Sequence, residues 1–200
     1  RSHTRMITAR GRTRNIYIAR DVTQRVEEIP RRAHDEARDL ELRYFGCGPM
    51  ALLGAFRALG LEDEGALRAS MAMVGGLAGN GETCGALIGA LMVVGYVYGR
   101  RGLVRATPET EGPILELGSR VIDRFRSEFG SINCRDVQKR LMGRAYNLRD
   151  PKEVEELHSS KGVEACAEVV GRAAEIATEV VLEGGFVPPT ARGGEKGKDV

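Results

Sequence analysis

Tryptophan is absent, and aromatic residues make up 5% of this 200-residue chain. A core with so few rings is built from Ala, Leu, Val, Ile and Met, with glycine permitting close contacts. The alternating runs of β-branched and aromatic residues that sheets use are missing too, so packed helices are expected. Long apolar runs are lacking as well. The most apolar stretch, residues 86–97, is broken by glycine and falls short of the ~20 residues a membrane span needs. No apolar signal-peptide core is visible near the start. These absences lead to the expectation of a soluble, cytoplasmic protein with no membrane partner. Cys-x-x-Cys pairs are missing, which removes the usual evidence for a zinc ribbon, a thioredoxin motif or a covalent c-type haem. No Ser-His-Asp or paired-carboxylate arrangement can be argued. His34 and His158 lie in charged stretches without a partner at ligand spacing, and read as surface residues.

Charge is nearly balanced overall, at a formal +2, but unevenly placed. Residues 1–32 carry nine Arg against Asp21, Glu27 and Glu28, a balance of +6, while the remainder stands at −4. The chain therefore reads as a basic N-terminal arm over residues 1–29, a helical domain over 30–184, and a flexible tail over 185–200 rich in Pro, Gly and Lys. Such an arm could meet nucleic acid. No recognition motif accompanies it, however, and nucleic acid is not expected as a partner.

The domain has the pattern of an all-α, compact multi-helix bundle with a Gly-rich central helix. After Pro30, Ala33, Ala37, Leu40 and Tyr44 recur at helical spacing among charges. Pro49 opens a second helix that Gly60 stops. Glu62 to Val74 reads as a third, followed by the glycine-rich loop 75–81. That loop lacks the Lys and spacing of a phosphate loop and reads better as a tight turn placing Cys84. From Thr83 to Tyr98 the sequence is apolar on every side. Gly85 with Gly89, and Gly95 with Gly99, share faces where another backbone could approach. Leu117, Val121, Phe125 and Phe129 mark a long helix ended by Gly130. Asn133 caps another reaching Met142, Pro151 to His158 forms a short one, and a last helix runs from Gly162 to Glu183.

Four cysteines remain: Cys47, Cys84, Cys134 and Cys166, separated by 37, 50 and 32 residues. In a reducing compartment they are core residues, metal ligands or redox thiols rather than structural disulfides. They share one feature, which is that each lies near the start of a helix. A helix N-terminus offers unpaired N–H groups and partial positive charge, which favour a thiolate and can draw the thiol pKa below its free value of ~8.5. Four such ends converging would form a four-thiolate pocket.

Cys84-Gly85-Ala86-Leu87-Ile88-Gly89, with Gly81-Glu82-Thr83 before it and residues 91–95 after it, resembles the signature region of the C_GCAxxG_C_C family of redox-active proteins. The family name spells Gly-Cys-Ala where this chain reads Cys-Gly-Ala. Phe129-Gly130-Ser131-Ile132-Asn133-Cys134 and the order of the four cysteines agree with the resemblance, which covers roughly residues 40–183. Two departures are Gly46, where Asn is common, and the longer N-terminal stretch. The resemblance implies a helical domain with a redox role and all four cysteines in its site, and marks Gly85 and Gly89 as cofactor-binding positions. Part of the split-Soret cytochromes is similar, and there cysteines hold a non-haem iron-sulfur type centre.

The expectation is a redox protein passing single electrons through an iron–sulfur cluster held by the four cysteines, with [2Fe–2S] favoured over [4Fe–4S]. The alternatives are a thiol–disulfide protein in which pairs such as Cys84 and Cys134 cycle, and a structural or storage protein binding zinc. A homodimer and an unidentified redox partner complete the reading.

Overall fold

Proline and glycine set most helix boundaries in the computed structural model, which describes residues 26–189. Helix α1 spans Ile29–Tyr44 with Pro30 in its first turn. Helix α2 spans Cys47–Leu59 and ends on Gly60 in the left-handed conformation. Helix α3 covers Glu64–Ser70, with the Asp63 carboxylate accepting the Ala66 N–H at 2.7 Å. Helix α4 is Gly85–Tyr98, and α5 is Pro108–Phe129, opened by a capping box between Thr107 and Thr110. Helix α6 is Cys134–Met142, α7 is Pro151–Ser159 and α8 is Gly162–Glu183. No strand forms among the described residues; one isolated antiparallel bridge joins Thr83 to Asn133. The fold is all-α.

Helices α1, α2, α4 and α8 pack on one another to form the centre, α5 covers α4 and α8, and α6 and α7 attach along α8. Small residues allow these close crossings. A methyl group on Gly54 would stand 2.5 Å from the Ala37 Cβ, and one on Gly89 would stand 2.2 Å from the Gly48 carbonyl oxygen. Gly89 therefore does receive another backbone, as expected. Gly95 faces open space, so the second glycine pair is not a packing face. The core is aliphatic, with Leu52, Leu87, Val93, Val94, Val170, Ile176 and Val180 fully buried beside Phe56 and Phe125.

Two sequence expectations change here. The third helix stops at Ser70 and does not continue to Val74, because the following segment is drawn against α2: a Cβ on Gly48 would lie 2.4 Å from the Met73 carbonyl oxygen. At the end of α1, Tyr44 turns out to solvent at 66% exposure while Glu41 takes the inward position at 6%. The basic arm and the tail lie largely on residues 1–25 and 190–200, outside the described residues. No described helix is long and apolar enough to cross a membrane.

Candidate functional site

Each cysteine stands at a helix start. Cys47 and Cys134 are the first residues of α2 and α6, Cys84 is the N-cap of α4, and Cys166 lies in the opening turns of α8. Thr83, read from sequence as that cap, sits one residue earlier in the bridge. The bridge fastens two of these helix starts together. The Cys84 N–H donates to the Ile132 carbonyl at 2.7 Å, and the Cys134 N–H donates to the Glu82 carbonyl at 2.6 Å. Cys134, 50 residues beyond Cys84 in the chain, thus arrives beside it through a single backbone exchange between the segments of Thr83 and Asn133.

The glycine-rich loop completes the frame. Gly75, Gly76, Leu77, Ala78, Gly79 and Gly81 all have positive φ, an arrangement costly for Leu77 and Ala78 and maintained by surrounding contacts. Its Gly76 lies so near Cys134 that a Cβ there would be 2.7 Å from the cysteine's own Cβ. On the far side, a Cβ on Gly85 would be 2.5 Å from the Cys47 Sγ and 2.0 Å from the Met73 carbonyl oxygen. Arg135 ties the loop to α6 by donating to the carbonyls of Gly81 and Asn80 and pairing with Glu82.

All four cysteines open onto one cavity of ≈ 340 Å³. They are free thiols, Cys84 and Cys134 buried and the other two partly so. Apolar residues such as Val74, Leu141, Leu148, Leu157 and Val163 line most of the remainder. Gly85 and Gly89 do not line it: Gly85 lies behind Cys47, and Gly89 serves the α2–α4 crossing. His158 is exposed, as expected of a surface residue, and also borders the cavity, stacked on Phe45 at 4.5 Å between ring centres. His34 instead joins α1 to α8 through Glu168 at 3.0 Å, away from the thiols.

Two polar residues in the wall were not singled out from sequence. Glu41 is buried, and its Oε2 accepts the Gly46 N–H at 2.8 Å, one residue before Cys47. Burial pushes its carboxyl above the usual range, and its charge in turn disfavours ionisation of Cys47, Cys84 and Cys166. Gln138 is buried on α6. A polar residue on an apolar stripe, and one a helical turn beyond a cysteine, were the available signals.

Burial overturns the expectation that helix starts lower the thiol pKa. Desolvation, reinforced by neighbouring cysteines, pushes Cys47, Cys84 and Cys134 up to about 12 and raises Cys166 as well. N–H groups of Gly75 and Gly48 near Cys47, and of Leu87 and Ala86 near Cys84, oppose this without reversing it. Among the described residues, no three Cys, His, Asp or Glu side chains stand close enough together to hold a metal ion.

The donor set nevertheless suits an electron-poor centre. Four sulfurs and one carboxylate face a cavity whose wall contains no Lys or Arg among the described residues. Sulfur donors of that number favour iron–sulfur clusters or zinc. The sequence comparison agrees with the geometry. The model of the family described as "Putative redox-active protein (C_GCAxxG_C_C)" matches residues 45–180, and the chain belongs to that family. No curated protein and no solved structure matches it.

Proposed function

From membership of that family, we propose that this chain is an electron-transfer protein whose Cys47, Cys84, Cys134 and Cys166 hold an iron–sulfur cluster, with [2Fe–2S] favoured. One observation carries the reading: four helix starts, distant in sequence, deliver their cysteines to a single cavity that also holds Glu41 and no lysine or arginine among its lining residues. When bound, the cluster would supply the one-electron chemistry. The protein's own contribution is to place four sulfurs on rigid helix ends, surround them with apolar side chains, and set amide N–H groups beside Cys47 and Cys84. Loading requires the thiols to give up protons, so burial makes the thiol state the competitor of the loaded one.

The same burial weighs against thiol–disulfide cycling, since a thiol held near pKa 12 presents little thiolate at neutral pH. A cytoplasmic setting, a homodimer and a separate redox partner belong to the proposal; light scattering on the purified chain tests the dimer. The deciding experiment is iron, zinc and acid-labile sulfide analysis of anaerobically purified protein beside its visible spectrum. The expected sample is brown, contains iron with sulfide, and bleaches on dithionite. A colourless sample with iron well below one atom per chain would overturn the reading, and stoichiometric zinc would replace it.

A further inference from the structure

One buried donor in the cysteine cavity has nothing to bind. Gln138 is 3% exposed and lines the cavity with the thiols. Its Oε1 accepts the Tyr146 N–H at 2.9 Å, an interaction that fixes which end of the amide is oxygen. The Nε2 is then left buried with no partner among the described residues. Burying a donor without a partner is costly, so the site is built for a partner that arrives with an occupant.

The position of Gln138 identifies that partner. It follows Cys134 by four residues on α6, which puts both on one face, and a helical side chain leans back over the residue one turn before it. Backbone N–H groups of Gly75 and Gly48 favour the charged form of Cys47, and those of Leu87 and Ala86 that of Cys84, whereas among the described residues no backbone N–H does so for Cys134. The N–H of Cys134 itself is engaged by the Glu82 carbonyl. The side-chain amide of Gln138 is therefore the donor available at this corner. A thiol sulfur is a weak acceptor and leaves it unpaired, while a thiolate or sulfide is a strong one.

We propose that Gln138 donates an N–H···S hydrogen bond at the Cys134 corner of the sulfur-ligated centre, to the Cys134 thiolate or the adjacent inorganic sulfide, and thereby raises the centre's reduction potential. The inference rests on the reading that the cysteines hold a cluster. A donor to sulfur stabilises the more negative, reduced form, which moves the potential upward. Gln138 is a positioning residue, since it moves no electron itself.

The chain has two glutamines, Gln24 and Gln138, so ¹⁵N labelling restricted to the glutamine side-chain amide, with asparagine unlabelled, marks only these. Pulsed EPR of the reduced, wild-type protein should show ¹⁵N and exchangeable-proton couplings from a glutamine amide. Gln138→Glu keeps an oxygen for the Tyr146 N–H and Gln138→Met removes both polar ends. Each should abolish these couplings and shift the midpoint potential negative with iron and sulfide content unchanged. No amide coupling in the wild type, or variants with its potential, would overturn the assignment to Gln138. Wild-type protein without iron and sulfide would show instead that the cluster reading had failed, before any variant was made, and the proposal would fall with it.

Discussion

Gly85 follows Cys84 and backs Cys47, and adding a single methyl group there tests how tightly the cysteine frame is packed. The new Cβ would stand 2.0 Å from the Met73 carbonyl oxygen, a backbone atom that cannot rotate away. Gly85→Ala is expected to lower stability by about 3 kcal/mol or more and to weaken retention of the centre, as read by urea denaturation and iron content. Gly95, on the same helix, faces open space, so Gly95→Ala should stabilise by ~0.5–1 kcal/mol through helix propensity alone. Equal effects at both positions would contradict the packing. The four cysteines were legible at this scale because their helix-start positions can be read from Pro, Gly and capping residues nearby. Glu41 was not. It lies among Asp35, Glu36, Arg38, Asp39 and Arg43, so local pattern makes it one more solvated charge and awards the inward place to Tyr44. The turn after α1, which sets the Gly46 N–H against the Glu41 carboxylate, accompanies its inward position, and no spacing of apolar residues announces that turn.

Among the helices, α6 and α7 differ from the rest in how they are held. They sit along α8 outside the central four, with the connection between them fixed by Arg144, whose guanidinium pairs with Glu153 and Glu156 at 2.8 Å and lies over the Tyr146 ring. The Asp150 carboxylate caps α7 by accepting the Lys152 N–H at 2.9 Å. Surface pairs of this type contribute little each, so α7 is held by the buried Leu157 and by the aromatic stack of His158 on Phe45 beside the cavity. An aromatic pair is worth ~0.5–1.5 kcal/mol, so His158→Ala should speed amide exchange across α7 by about 2- to 10-fold. The amides of α4 should be unaffected; equal acceleration in both would mean that α7 does not open separately. Sequence marks both ends of α7 and α8 well, since Pro151 and Gly184 are local signals. It gives α3 four residues too many at its C-terminal end, because what stops that helix is the contact of Met73 with Gly48 on α2.

For the molecule as a whole, the buried thiols make stability without an occupant depend on pH in one direction. Three of them are held at about 12 in the folded chain, against an ordinary value of 9.0. The unfolded chain releases these protons first as pH rises, so above about pH 9 the folded state binds more of them and loses stability relative to it. The contribution is therefore complete below pH 9 and declines toward pH 12, by up to ~1.4 kcal/mol per pH unit for each thiol. Urea midpoints of the iron-free protein should be level from pH 7 to 8.5 and fall steeply by pH 10.5. In the loaded protein the sulfurs have already lost their protons to the centre, so this alkaline decline should be much shallower. Lower pH acts oppositely, since protons then compete with the centre for sulfur and loading weakens. Alkaline lability in the empty protein and acid lability in the loaded one thus come from the same four buried groups. A Cys→Ser change at any ligand should make the alkaline decline of the empty protein shallower and also cost retention of the centre, whereas at a cysteine outside the centre it should alter only the first.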